Sequence, residues 1–287
     1  MKRNNSILYL LIPSLGLLVG LFVFPFFWAF AMGFSNYNLW ADAGEGYRFI
    51  GFQNYIRLLQ DADFYNSLRI TLVFLFLALS GHLFLGLLFA NLVRTKGIIG
   101  RRLVATAMLI PWLTPGLVAA YMWRSVLNVD YGWFNSILET IGLGRVNWLF
   151  DYPLLSILIP NWSRGMAVAF LLLSAALEAI PESIYDAAKI DGASGWQTLI
   201  HIKIPMISYS ILVTLLVSTF GTLLAFDMIY GLTGGGPMAK TEVFSIFIYH
   251  EAFRDMALGY AGAFSSVVLI ITLALGLIYI RSIRVEI

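Results

Sequence analysis

The stretch ITLVFLFLALSGHLFLGLLFANLV, Ile70 to Val93, runs for 24 residues without one Asp, Glu, Lys or Arg. A helix rises about 1.5 Å per residue and the hydrocarbon core of a bilayer is about 30 Å thick, so roughly 20 apolar residues cross it. Backbone N–H and C=O groups meet no water there, and a helix satisfies them within one segment. Ile70 to Val93 therefore reads as a transmembrane helix. Five more stretches share its character: Ile7 to Phe34, Leu103 to Trp123, Pro153 to Leu177, Met206 to Phe226 or on to Tyr230, and Ala257 to Ile280. The expectation is an all-α polytopic membrane protein with six transmembrane helices, a single transmembrane domain over residues 1–287.

Composition agrees. Apolar residues fill 60% of the 287 positions and charged residues 12%, about half the charged share of a soluble domain. A net charge of +2, with no basic run interleaved with aromatics, gives no sign of a nucleic-acid partner. The absence of cysteine removes disulfides, Fe–S clusters and thiolate chemistry. Lys2 and Arg3 ahead of an apolar run imitate a secretory signal, but Ile7 to Phe34 far exceeds the about 7 to 15 residues of a signal's apolar region. The reading is a retained first helix, kinked at Pro25.

Basic residues orient the spans. With the N-terminus inside, the inner segments hold ten, Lys2, Arg3, Arg94, Lys96, Arg101, Arg102, Lys189, Lys203, Arg281 and Arg284; the outer segments hold seven, Arg48, Arg57, Arg69, Arg124, Arg145, Lys240 and Arg254. The excess places both termini in the cytoplasm. Trp40, Trp133 and Trp148 fall in or beside outer segments, where amphipathic rings anchor at headgroups.

The inner loop at residues 178–205, EAIPESIYDAAKIDGASGWQTLIHIKIP, is the longest polar segment and reads as two short helices around a turn. Ser183 to Ile190 has good helix formers, Asp191-Gly192 supplies a residue at ease with positive φ, and Ser194 with Gln197 matches a capping box. On these residues alone it is either a compact cytoplasmic knob or an amphipathic connector at the lipid interface.

Asp186-Ala187-Ala188, Asp191-Gly192-Ala193, Ile202 and Pro205 resemble the EAA loop of ABC importer permeases, with Asp186 where that family has a leading Glu. FDMIYGLTGGGPMAKTEVFSIFIYHEAF, Phe226 to Phe253, together with Leu109-Ile110-Pro111-Trp112, Pro115, Trp123, Gly132 and Asn135, is similar to the carbohydrate-uptake branch, typified by maltose-type and glycerol-phosphate-type permeases. The resemblance implies the type I importer (MetI-like) permease fold in a bacterial or archaeal cytoplasmic membrane. It implies alternating access for a sugar or sugar-like solute: a di- or oligosaccharide, a polyol or glycerol phosphate. The implied partners are a second homologous permease forming a heterodimer, two ATPase subunits and an extracytoplasmic solute-binding protein. Asp186, Ala187, Ala188, Asp191, Gly192, Ala193 and Pro205 would form the ATPase-coupling loop. The sequence contains no G-x-x-x-x-G-K-[ST] phosphate loop, so no cofactor is expected on this chain, and ATP and Mg belong to the partner ATPase.

Other residues suggest a solute pathway. Arg164 lies near the middle of the fourth span, where an arginine costs roughly 2.5 to 3.5 kcal/mol on insertion scales. Either it lines the pathway, with Trp162 stacking on a sugar ring and Asn161 bonding hydroxyls, or it ties structurally to a carboxylate such as Asp227. Asp227, flanked by Phe226 and Tyr230, could hold a polyhydroxylated ligand or cap a helix end. Pro111 and Pro115 would kink the third span. Gly234-Gly235-Gly236-Pro237 reads as an outer turn, and His82, His201 and His250 lack metal-ligand spacing. An ion-coupled secondary transporter is the alternative, with Asp227 as its one plausible intramembrane acid; a membrane enzyme would need an interfacial catalytic cluster, and none is evident.

Overall fold

The computed structural model describes residues 5–40, 48–94 and 100–285. Lys2, Arg3 and Lys96, which carry part of the charge asymmetry, lie outside them. The described chain is built from helices: α1 (Asn5–Leu18), α2 (Phe24–Met32), α3 (Gln53–Gln60), α4 (Ala62–Val93), α5 (Arg101–Ala107), α6 (Ile110–Leu113), α7 (Gly116–Val126), α8 (Trp133–Thr140), α9 (Trp148–Asp151), α10 (Pro153–Glu178), α11 (Glu182–Ile190), α12 (Gly195–Thr198), α13 (Ile204–Met206), α14 (Ser208–Leu223), α15 (Asp227–Leu232), α16 (Phe244–Tyr249) and α17 (Leu258–Val285). Wider π-helical turns occupy Val19–Val23, Leu199–Lys203 and His250–Arg254.

Among the described residues, four helical stretches are long and apolar enough to cross a membrane: Leu11–Met32, Ala62–Val93, Pro153–Glu178 and Leu258–Ser282. Two bent pairs bring the number to six, Arg102–Leu113 with Gly116–Val126 and Gly195–Met206 with Ser208–Leu223. Counted so, the spans number the six expected, with three corrections. The third span is not merely kinked: it breaks by 103°. Thr114 is extended, with ψ 127°, because the ring of Pro115 disfavours helical geometry in the residue before it. The fifth span stops at Leu223 instead of continuing to Tyr230, and Leu224 to Phe226 separate it from α15. The second span starts eight residues early, at Ala62, where the Asp61 carboxylate accepts the Asp63 N–H at 2.9 Å and caps the helix.

The chain forms two compact units. In the unit made of residues up to Tyr65 with Phe247–Leu273, α2 crosses α17 at small residues. A Cβ on Gly262 would meet Ala29 O at 2.7 Å and Gly33 N at 2.9 Å, so only glycine permits this approach. The buried Asn54 side chain donates to Gly33 O (3.0 Å) and Ser35 O (2.7 Å), fastening α3 to the end of α2. Phe264 stacks on Phe247, ring centres 4.7 Å apart, and meets the edge of Phe64.

The other unit, Asn66–Ile246 with Ala274–Ile287, is organised around α4 and α10, each recessed where the other protrudes. A side chain on Gly165 would fall on the His82 ring and one on Gly81 on the Trp162 indole, while Gly86 faces Ala169. Phe74, Ala78, Ile157, Leu158, Ile229 and Ile246 fill one apolar cluster; Ala90, Phe170, Leu173, Leu177 and Ile207 fill a second. Other large apolar groups point outward, Phe76 70% exposed, Leu103 75% and Leu113 71%. Burial of such a side chain is worth roughly 1.5 to 3 kcal/mol, and in a membrane lipid supplies the cover.

Candidate functional site

Two helix interruptions of the larger unit, the one before α7 and the one before α15, open onto one cavity of about 290 Å³, at the lower end of the range for small-molecule sites, roughly 300 Å³ upward. Trp112 and Gly116 flank the break between α6 and α7, and Leu224, Ala225 and Phe226 are the break between α14 and α15. Irregular backbone at membrane depth is tolerated where it lines a cavity, because its polar groups then have somewhere to turn. His82 from α4, Asn161, Arg164 and Gly165 from α10, Ser218, Gly221 and Thr222 from α14, and Asp227 from α15 complete the polar part of the wall.

The polar atoms here are unevenly satisfied. His82 Nε2 donates to Asn161 O (3.1 Å) and Oδ1 (2.9 Å); the first acceptor, a backbone carbonyl, fixes the proton on Nε2 and leaves Nδ1 an acceptor in the neutral ring. Nδ1 of His82, Nη1 of Arg164 and Oγ of Ser218 are all buried without a hydrogen-bond partner. These are three of the six such side-chain atoms among the described residues, and each costs about 1 to 3 kcal/mol when left so. Arg164 and Asp227 face each other over Gly116. Nη1 and Oδ2 each lie 3.4 Å from the point where a Gly116 Cβ would stand, which bounds their separation at twice that distance. Among the described residues no ion pair joins them.

Of the pathway residues expected from sequence, Asn161, Arg164, Phe226 and Asp227 meet at this cavity; Trp162 and Tyr230 are not among its lining residues. Trp162 donates its indole N–H to Leu77 O at 2.9 Å and packs against the first apolar cluster. Tyr230 stacks on Phe226, ring centres 5.1 Å apart, one turn along α15. Gly116 and Ser218 escaped the sequence reading, and His82 was weighed there only as a metal ligand. A histidine inside an otherwise apolar span was the available signal for His82; the other two carried none.

The inner loop is a second constructed feature. α11 ends in a Schellman motif: Ala193 N–H bonds Ala188 O (3.0 Å), Gly192 N–H bonds Lys189 O (3.1 Å), and Gly192 takes φ +72°. Ser194 Oγ accepts the Gln197 N–H (3.2 Å) while Gln197 Oε1 accepts the Ser194 N–H (2.8 Å), the reciprocal box expected at the start of α12. Tyr185 seats the loop, its ring lying between the Arg94 guanidinium at 5.6 Å and Lys203 Nζ at 5.5 Å. Burial pushes the Tyr185 hydroxyl pKa up, against the opposing pull of Arg94. Lys203 Nζ also donates to Asn91 Oδ1. Ala188 is 5% exposed and belongs to this inward face. The outward face carries Asp186, Ala187, Asp191 and Gly192, with two apolar groups the sequence reading passed over, Ile190 at 87% exposed and Trp196 at 69%. Asp186 accepts from Lys189 Nζ at 2.9 Å in the open, raising the lysine pKa. Pro205 is the middle residue of α13, at the foot of the fifth span.

The family model for binding-protein-dependent transport system inner membrane components matches residues 82–285. The chain belongs to this family. The permease is 35% identical over 237 residues to the trehalose/maltose transport system permease protein MalF of Thermococcus litoralis, a match covering 81% of this chain and 79% of that one. It is 30% identical over 286 residues to the sulfoquinovosyl glycerol transport system permease protein SmoG of Agrobacterium fabrum, covering 96% and 90%. The sn-glycerol-3-phosphate transport system permease protein UgpA of the same organism is 30% identical, covering 95% and 92%. Among solved structures, a chain of a bacterial ABC transporter involved in the import of the acidic polysaccharide alginate superposes with TM-score 0.83 at 23% identity, covering 98% of the permease and 96% of that chain. A second match, at TM-score 0.81, is to the same transporter in complex with an alginate pentasaccharide-bound periplasmic protein. The chain is a membrane permease of the ABC importer class, a family of transport proteins and not of enzymes.

Proposed function

We propose that the permease carries a sugar or sugar-like solute through the cavity between its two broken spans, by alternating access driven by a separate ATPase subunit. The observation that carries this reading is the gathering of donors, acceptors and two opposite charges, on His82, Asn161, Arg164, Ser218, Thr222 and Asp227, in the wall of one cavity. Hydroxyl groups both donate and accept, so a polyhydroxylated solute can answer so mixed a lining. The names of the relatives, for trehalose and maltose, sulfoquinovosyl glycerol and glycerol 3-phosphate, support that class.

In this reading Asp186, Ala187, Asp191 and Gly192, with Ile190 and Trp196, meet the ATPase from the cytoplasm, and Ala188, Ala193 and Pro205 hold the loop that presents them. ATP and Mg bind the ATPase. A second, homologous permease completes the pathway, and an extracytoplasmic binding protein delivers the solute from the other side. The loop transmits force only if the ATPase grips it differently in its two states, since a ligand indifferent to both shifts neither.

The test is uptake by the reconstituted importer, with Gly192→Pro and Asp186→Lys in the loop. Both variants should insert and assemble yet lose most ATP-driven uptake, while ATPase turnover loses its response to the solute-loaded binding protein. Normal uptake by both would remove the coupling assignment. Uptake that needs no ATPase but collapses with the ion gradient would establish an ion-coupled carrier instead.

A further inference from the structure

The reading of the cavity as a solute site leaves open which solutes it accepts, and the disposition of its two charges bears on that. Arg164 and Asp227 are the charged residues among those lining it. They stand near one another over Gly116 without forming an ion pair, and Nη1 of Arg164 has no hydrogen-bond partner. Two opposite charges left to attract in a buried site normally close into contact, because the interaction strengthens as water is excluded. Here they are held on different helices, α10 and α15, and both residues line the cavity.

We propose that Arg164 and Asp227 act together as a charge filter, making the cavity selective for neutral polyhydroxylated solutes over anionic ones. This inference rests on the solute-site reading above. With His82 neutral, the two charges cancel. A neutral solute leaves that balance intact: one hydroxyl donates to the Asp227 carboxylate, another accepts from the Arg164 guanidinium, and both bonds gain strength from the ionised partner. An anion gains Arg164 but brings a second negative charge beside Asp227, and the cavity then carries an uncompensated charge at membrane depth.

The experiment uses the assembled importer in nanodiscs without its binding protein, so that the pathway alone is probed. Equilibrium binding of radiolabelled trehalose is compared with that of its 6-uronate, which replaces one CH₂OH by a carboxylate. The wild-type protein should bind trehalose at least tenfold more tightly. Asp227→Asn leaves Arg164 unopposed and should shift the ratio at least tenfold toward the uronate; Arg164→Gln should shift it the other way, and the double variant should return it close to wild type. Thermal melting and gel filtration of each variant establish that it is folded. A wild-type protein indifferent to the carboxylate, or folded single variants with unchanged ratios, would overturn the charge filter while leaving the solute site standing. Val217→Trp separates the two ideas: Val217 lines the cavity and is 42% exposed, so an indole there fills space without disturbing a packed core. If the assembled importer shows no saturable binding of either probe, or if Val217→Trp leaves binding untouched, the cavity is not the solute site and both readings fall.

Discussion

Gly165 shows how much of the site depends on a missing side chain. An ideal Cβ at this position falls on the imidazole of His82, so Gly165→Ala must push that ring away from Asn161 and break the bonds that fix its tautomer. Overpacking of this kind typically costs 1 to 3 kcal/mol. Gly165→Ala should therefore lower the melting temperature of the purified permease and weaken solute binding, and adding His82→Ala should restore most of the stability but not the binding. A double-mutant cycle measures the coupling; strictly additive effects would mean that the two residues do not share this contact. Arg164 and Asp227 were legible in the sequence because a charge inside an apolar span is expensive wherever it sits. Trp162 misled for the converse reason: an indole beside an arginine suggests a sugar platform, yet its N–H is committed to Leu77 O across the helix interface. Sequence reports that a tryptophan needs a partner and not which one it finds.

Local punctuation carried further for whole elements. The end of α11 and the start of α12 followed from Asp191-Gly192 and from Ser194 with Gln197, because caps and turns are made by neighbours in the chain. Ser194→Ala removes the Oγ that accepts the Gln197 N–H and should cost about 1 kcal/mol, within a range of 0.5 to 2. Hydrogen exchange should show faster opening of α12, with α10 unaffected. The two broken spans were harder to read: Pro115 announced a disturbance, but its size, 103°, depends on what packs in the bend. The π-helical turn His250–Arg254 holds Glu251, whose pKa is pushed up from 4.5 to about 7 by burial first and then by Asp255, with Asp61 adding to the rise and Arg57 and Arg254 opposing it. The folded protein thus binds this proton more tightly than the unfolded chain. The stability contributed is full below about pH 4.5, falls as pH rises toward 7, and is gone above that. Melting temperature between pH 5 and pH 8 should accordingly fall less for Glu251→Gln than for the wild type, and the variant should be the more stable of the two at pH 8. Parallel profiles would show that Glu251 carries no such charge penalty.

At the scale of the whole molecule, composition and span length fixed most of the architecture, since lipid makes a uniform demand that each segment meets without reference to its neighbours. What the segments do to one another was less visible: the cavity gathers residues from four of the spans or their continuations, and nothing in the order of the chain brings His82, Arg164, Ser218 and Asp227 together. Orientation has its own physical cause. Ten basic residues fall on one side of the spans read from sequence and seven on the other, and a short loop dense in Lys and Arg resists translocation. On that asymmetry Glu182–Ile190 is expected in the cytoplasm and Trp133–Thr140 outside. The natural chain has no cysteine, so a single introduced thiol reports its own side without background. Ser183→Cys and Thr140→Cys both place it at an exposed position on a short helix between spans. In intact cells a membrane-impermeant maleimide should label the Thr140→Cys protein and spare the Ser183→Cys protein; opening the membrane should render both reactive. The reverse pattern would invert the topology and place the Schellman loop on the face away from any cytoplasmic ATPase, so this one measurement tests the orientation and the coupling proposal together.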